Sequence, residues 1–233
     1  MKVQVYIEIG DKKTFASAVD WPGWSRSGKT EHDALEAILA SGSRYAKIAR
    51  KVDRSFEPPK AVGDFTIEKR LRGGAGTDFG VPGLPAPSDD RPIGAAELKR
   101  LSGILEASWA AFDNAAQAAV GVELRKGPRG GGRDLPKIVA HAFEADAAYV
   151  VQTGGRYRPA KDAAPPDEWP RLRKRMLEVL DARGRDVPVD DPANVKNPWL
   201  PRYLVRRAAW HLLDHAWEIE DRASAAPAAG ADA

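Results

Sequence analysis

The sequence predicts an α+β unit followed by an all-α four-helix bundle. Residues 3–9 alternate between apolar and polar side chains, which is the pattern of a half-buried strand. From residue 95 onward the apolar residues recur with the helical period instead. Glycine and proline are concentrated between these regions, over residues 73–94. We therefore divide the chain into an α/β domain at 1–72, a linker at 73–94, a helical bundle at 95–222 and a disordered tail at 223–233.

The N-terminal domain begins with a predicted β-hairpin and continues into a helix. Thr30 is expected to cap this helix, because its hydroxyl can accept a hydrogen bond from a backbone N–H of the first turn. The linker that follows the domain is expected to be partly ordered by Phe79 and Val81, which would pack against a neighbouring element. The predicted elements are strands at 2–9 and 14–19, a helix at about 31–52 with a break at 41–43, and a strand at 62–71.

Four helical patterns make up the predicted bundle. In the second, Asp134 stands at the capping position and Pro136 lies in the first turn, where proline is favoured. A basic, glycine-rich loop precedes it. Two of the connections between the helices are long, which is compatible with bundle topology. The predicted helices span about 95–119, 134–152, 167–182 and 198–222.

The composition is that of an ordinary globular protein. Of the 233 residues, 43% are hydrophobic and 30% are charged, and a formal net charge of +3 is too small an excess to imply nucleic acid as a partner. No apolar run approaches the roughly 18 residues of a membrane span, and the N-terminus lacks an apolar signal core. We therefore expect a cytoplasmic protein that does not bind a membrane. The chain has no cysteine, so any thiol chemistry would need a thiol from outside.

Three histidines form the candidate metal site. His211 and His215 are four residues apart on the last helix and therefore lie one turn apart on one face. His141 lies on the core-facing stripe of the second bundle helix. A lone inward histidine is more often a hydrogen-bonded core residue, but three on two helices favour a metal. Three neutral imidazoles leave an open position on the ion, as a catalytic site requires.

Two further sets of residues are candidates for the surroundings of this site. Glu144 and Glu218 each follow a histidine by one turn, so they are candidates for extra ligands or for hydrogen-bonding partners of the ligands, with solvated glutamates as the alternative. The basic loop before the second bundle helix could bind an anionic cofactor or substrate, with a solvated loop as the alternative. Its candidate residues are Arg125, Lys126, Arg129 and Arg133.

The stretch FASAVDWPGWSRSGKTEHDALEAIL, at 15–39, resembles the HicB-like domain signature. It combines a strand, a Pro-Gly turn, a Gly-Lys-Thr step and a helix with an acidic-Ala-Leu-Glu-Ala pattern. The resemblance implies a partly formed ribonuclease-H-like ββαβ scaffold that binds a protein partner and is not catalytic. HicB antitoxins usually carry a DNA-binding segment after this unit. No helix-turn-helix or basic ribbon follows it in this sequence.

The stretches DLPKIVAHAFEADAAYV and AAWHLLDHAWEIEDR resemble the second and fourth helices of the DinB/YfiT family of metal-dependent bundles. That family has one histidine in the second helix and an HxxxH pair in the fourth. The resemblance implies a Zn²⁺ or Ni²⁺ ion held by His141, His211 and His215, and frequent homodimerisation. It also implies thiol S-transferase or thiol-dependent isomerase activity on a small molecule, with mycothiol, bacillithiol or glutathione as the thiol.

Three functional hypotheses follow. In the first, the chain is a metal-dependent enzyme in which the ion lowers the pKa of a cofactor thiol and the thiolate attacks an electrophile. The sequence identifies no catalytic residue beyond the metal ligands. In the second, the chain is a non-enzymatic binding or regulatory protein, antitoxin-like, whose HicB-like domain recognises a protein and whose metal is structural. A third and weaker hypothesis is RNA binding through the basic loop and the arginine-rich third bundle helix.

Overall fold

The computed structural model describes residues 2–126, 132–160 and 165–224, and within them the chain begins with a small mixed sheet. The strands lie in the order β3-β2-β1-β4, with β2 antiparallel to β1 and β3, and β4 parallel to β1. The three expected strands are all present. The short third strand was not predicted, because its Ser-Arg-Ser-Gly sequence carries no apolar alternation. The strands are β1 (Val3–Ile9), β2 (Thr14–Ala18), β3 (Ser25–Gly28) and β4 (Phe65–Arg72).

Two helices, α1 (Glu31–Ala40) and α2 (Gly42–Ala49), cover one face of the sheet and confirm the expected break. Thr30 caps α1 as predicted, since its hydroxyl accepts a hydrogen bond from the backbone N–H of Asp33 at 3.1 Å. At the break, the Ser41 hydroxyl and a helix carbonyl both accept from the indole of Trp24. Because Trp24 also stacks on Tyr45 with ring centroids 5.2 Å apart, one buried tryptophan ties both helices to the sheet.

The segment at 73–94 is folded and hydrogen-bonded. It contains the short helix α3 (Ala75–Phe79) and one 3₁₀ turn at Pro87–Asp90. The buried carboxylate of Glu8 on β1 accepts hydrogen bonds from Thr77 and from the backbone N–H groups of Gly83 and Leu84. The expectation that Phe79 packs on a neighbour was wrong, because this side chain is 83% exposed. The polar contacts of Glu8 order the segment instead, and the apolar pattern gave no sign of them.

Four long helices follow, at the positions that the periodicity predicted. The last begins with Pro201 in its first turn, where the missing N–H costs no hydrogen bond, and so starts slightly later than expected. Asp134 caps the second of the four by accepting from the N–H of Lys137 at 3.0 Å. The predicted disordered tail lies mostly at 225–233, outside the described residues. The helices are α4 (Ala95–Ala118), α5 (Leu135–Gln152), α6 (Pro165–Gly184) and α7 (Pro201–Ala223).

The last helix is the centre of the molecule. It packs against α4, α5 and α6, and its other side faces the sheet. Almost every residue from Arg202 to Ile219 is buried. One continuous apolar core joins the sheet, α1, α2 and the four long helices. In the described part of the chain, no helix is long and apolar enough to cross a membrane.

Candidate metal centre

Three imidazoles meet where α5 crosses α7. His211 and His215 project from one face of α7, one turn apart, and His141 approaches them from α5. One ligating atom from each ring lies within 4.8 Å of the other two. The Nε2 atoms of His141 and His211 are 3.1 Å apart. Within the described residues, these three form the one group of histidine and carboxylate side chains whose spacing suits a metal ion.

Burial favours the uncharged form of two of these histidines, His141 and His211. Burial is the largest cause that lowers the pKa of His211 to about 2, and the neighbouring His215 and His141 lower it further. The pKa of His141 is also lowered, first by burial and then by the positive charge of Arg133. A histidine binds a metal through the lone pair of a neutral ring. The surroundings of His141 and His211 therefore favour the protonation state that a metal requires.

Glu218 fixes the orientation of His215. The Nδ1–H of His215 donates to one carboxylate oxygen of Glu218 at 2.8 Å, and Arg222 donates to the other at 2.6 Å. The hydrogen bond from His215 is the main cause that lowers the pKa of Glu218. This arrangement leaves the Nε2 lone pair of His215 for an ion, as in carboxylate–histidine–metal triads. Glu144, the other glutamate suggested by the sequence, is exposed and forms no hydrogen bond with the three histidines.

The donor set fits a divalent transition-metal ion. Three imidazoles and no thiolate suit Zn²⁺ or Ni²⁺. The Nδ1 atom of His211 is buried and has no hydrogen-bond partner in the described structure. This is not the ring nitrogen that faces His141, so an ion bound at Nε2 would leave it without a partner.

The four candidate anion-binding residues of the basic loop have different surroundings in the structure. Arg125 donates to the carbonyl of Asp221, and Arg222 donates to the carbonyl of Arg125 at 2.7 Å, so Arg125 caps the end of α7 instead of facing a ligand. Arg129 lies outside the described residues. Lys126 and Arg133 line a cavity of about 530 Å³ between the ends of α5 and α7. Its wall also contains Lys137, Arg222, apolar side chains and two carboxylates, Glu123 and Asp134.

No family model, curated protein or solved structure matches this chain. Its site must therefore be interpreted from its own geometry.

Sequence reasoning missed several polar residues around the centre. Arg222 follows Glu218 by four residues, so the helical spacing could have revealed it. Arg207 precedes His211 by one turn, but its side chain contacts Tyr149 on another helix and Pro82 of the segment before α4. Those long-range contacts leave no signal in the local pattern.

Proposed function

We propose that this chain is a metal-dependent enzyme with a DinB/YfiT-like helical domain. In this proposal His141, His211 and His215 hold one Zn²⁺ or Ni²⁺ ion. The reaction is a thiol S-transfer or a thiol-dependent isomerisation of a small molecule. The observation that supports it most directly is that one ring nitrogen from each of three imidazoles lies within 4.8 Å of the other two.

The number of candidate ligands is the reason for proposing an enzyme, because three protein ligands leave one coordination position of the ion open. Catalytic zinc sites have three protein ligands and leave the fourth position to water or substrate. The group of candidate ligands in the described residues has three members. A bound divalent ion would lower the pKa of a coordinated thiol and so supply a thiolate at neutral pH. Since the chain has no cysteine, that thiol would belong to a small molecule such as mycothiol, bacillithiol or glutathione.

The surrounding residues have separate roles in this proposal. Glu218 holds the ring of His215 in one orientation, and burial keeps His211 neutral. The cavity lined by Lys126 and Arg133 takes the anionic part of the thiol cofactor. Arg133, on the wall of this cavity, is near enough for its charge to lower the pKa of both His141 and His211, although none of the three histidines lines the cavity.

The N-terminal sheet and its two helices would form a HicB-like accessory domain. The elements run β1, β2, β3, α1, α2 and β4, so this unit has one strand, β3, beyond the ββαβ order that the family implies, and β4 is parallel to β1. A homodimer is part of the same proposal and can be measured by light scattering.

The first test is metal content. The untagged protein should contain about one equivalent of zinc or nickel by mass spectrometry, and the His211→Ala variant should lose it. His32→Ala is the matched control, since His32 lies exposed on α1, next to Glu36. Protein that takes up no metal after dialysis against both ions would contradict the proposal. A metal-binding protein would then be assayed with each thiol and a panel of electrophiles.

The alternative is a non-enzymatic, antitoxin-like binding protein with a structural metal. The edge strand β4 favours it, because β4 pairs on one side only and presents exposed side chains along its length. X-ray absorption of the zinc-loaded protein separates the two candidates. Three imidazoles with an exchangeable fourth ligand support the enzyme, whereas four protein ligands support the structural role.

A further inference from the structure

The carboxylate that orients His215 is itself held by a second side chain. One oxygen of Glu218 accepts from the Nδ1–H of His215 at 2.8 Å, and the other accepts from an Nη of Arg222 at 2.6 Å. Arg222 follows Glu218 by four residues on α7, so the two side chains share one face of the helix. A continuous chain of hydrogen bonds therefore runs from Arg222 to one of the three candidate metal ligands.

The guanidinium of Arg222 is fixed by the loop that precedes α5. Its Nε donates to the carbonyl of Arg125 at 2.7 Å, and its side chain is only 13% exposed. A Cβ atom added at Gly132 would lie 2.7 Å from one Nη of Arg222 and 2.9 Å from its Cζ, so the glycine backbone packs directly against the guanidinium. Gly132 also has a φ of +135°, which favours glycine. The loop thus confines Arg222 to the position from which it reaches Glu218.

Two donors on opposite oxygens leave the Glu218 carboxylate little freedom to turn. A carboxylate that accepts from a ligating histidine fixes the orientation of the ring and raises its basicity. The Glu218 side chain is 33% exposed, so without Arg222 it could turn towards water and release the His215 ring. Arg222 also draws charge from the carboxylate, which on its own would weaken the bond to His215. The loss of orientation is the larger effect, because it removes that bond altogether.

Arg125 separates this role from simple attachment of the loop to α7. Its backbone N–H donates to the carbonyl of Arg222 at 3.0 Å, and its side chain donates to the carbonyl of Asp221. In the described structure it forms no hydrogen bond with Glu218. Both arginines therefore attach the loop to the end of the helix, but Arg222 alone of the two contacts the carboxylate that holds His215.

We propose that Arg222 is a positioning residue for the metal centre and acts through Glu218 on the ring of His215. This inference rests on the proposed function, because it concerns the ion held by the same three histidines. Arg222 does not touch the ion or the substrate. It keeps Glu218 turned towards His215, and the Nε2 of that ring then stays directed at the site.

The first test observes the His215 Nδ1–H proton directly. In metal-free, ¹⁵N-histidine-labelled protein, its resonance is identified by its loss in His215→Ala. Its exchange with water should become about fivefold faster in Arg222→Gln, since the hydrogen bond to Glu218 then opens more often. Gly132→Ala should have a similar effect, because the added methyl group displaces the guanidinium without removing it. Arg222→Lys keeps the charge and one donor and should restore part of the protection.

The second test measures zinc affinity by competition with a chromophoric chelator. Arg222→Gln should lower it about tenfold. The matched control is Arg125→Gln, which removes a contact between the loop and α7 but should bind zinc like the native protein. In a Glu218→Gln background, Arg222→Gln should cost no further affinity, because the two residues act through one hydrogen bond to His215.

Two results would overturn the positioning role. One is native exchange of the His215 proton in both Arg222→Gln and Gly132→Ala. The other is a zinc affinity of Arg222→Gln equal to that of Arg125→Gln. Either result in a protein that binds zinc removes this role and leaves the proposed function intact. A native protein that binds no metal would contradict the proposed function and this inference together.

Discussion

Burial governs how the ionisable residues of this protein behave. His211, 7% exposed, is kept neutral by desolvation, while the hydrogen bond from His215 holds Glu218 in its charged form. Two turns of α7 thus carry a neutral imidazole and a charged carboxylate. Each follows from its immediate surroundings, and each can be tested by a single substitution.

Replacing Glu218 with glutamine should weaken metal binding. The amide oxygen can still accept from His215, but the negative charge that strengthens this hydrogen bond is lost. We expect zinc affinity to fall about 10- to 100-fold, as measured by competition with a chromophoric chelator. Glu144→Gln is the control, since Glu144 is exposed on the helix that carries His141. Equal zinc affinities for the two variants would show that the charge of Glu218 does not strengthen metal binding by His215.

Asp146 should make stability depend on pH. Burial raises its pKa to about 7, although Trp109 donates to one of its oxygens at 3.0 Å, and its other oxygen has no partner in the described structure. The folded state therefore holds this proton more tightly than the unfolded state, whose aspartate pKa is close to 3.8. Its contribution to stability is largest below about pH 4 and falls as the pH rises towards 7, by a few kcal/mol.

Asp146→Asn removes this titration and retains an acceptor for Trp109. Urea unfolding at pH 5 and pH 8 should show that the native protein loses more stability between the two values than this variant does. The control is Asp113→Asn, because Asp113 is about half exposed and pairs with Arg173 at the surface. If Asp146→Asn keeps the native pH dependence, the buried carboxyl is not its source.

At the scale of single elements, α7 is held in place by polar contacts as well as by its apolar faces. Arg206 donates to both oxygens of Asp89, in the 3₁₀ turn before α4, and to the carbonyls of Ala18 and Val19 at the end of β2. Both charged side chains are at least 94% buried. One ion pair therefore joins the sheet, the segment at 73–94 and the central helix.

Asp89→Asn should strongly destabilise this junction. The substitution leaves the buried guanidinium of Arg206 without its counter-charge, which typically costs about 3–5 kcal/mol of unfolding free energy. Chemical denaturation measures this loss. The double variant Asp89→Asn/Arg206→Met should recover much of the lost stability, since no unpaired charge then remains. A double variant no more stable than Asp89→Asn would mean that the ion pair is not the main contribution.

At the scale of the whole molecule, the sheet and the helices share one core. Apolar residues of β1, α1, α4 and α7 belong to the same buried cluster, and ion pairs such as Arg26–Asp214 cross from the sheet to the last helix. The segment at 73–94 is anchored on both sides, by Glu8 of β1 and by Arg206 of α7. These contacts connect the N-terminal unit to the centre of the bundle.

We expect the chain to unfold as one cooperative unit. Tryptophan fluorescence, which reports on Trp24 near the sheet and Trp109 among the long helices, should follow the same denaturation curve as far-UV circular dichroism. Two domains of the chain that were stable independently of each other would instead give two unfolding transitions. The measurement is made in the presence of chelator, so that a bound metal does not stabilise one half alone.

Local sequence determined much of this protein. The helical period predicted four long helices, and Thr30 and Asp134 predicted the caps of α1 and α5. The four-residue spacing predicted that His211 and His215 share one face of a buried helix. These features depend on neighbours within one turn of the chain. That is why they can be read without knowing the fold.

Only the tertiary structure decided which faces meet. It brought His141 to the other two histidines, placed Glu218 against His215 and left Glu144 exposed, although the two glutamates have the same spacing from a histidine. It also paired β4 with β1 and surrounded Arg207 with neutral groups. Periodicity fixes the side of a helix on which a residue lies. The partner of that side depends on packing between residues far apart in the chain, and no local pattern records it.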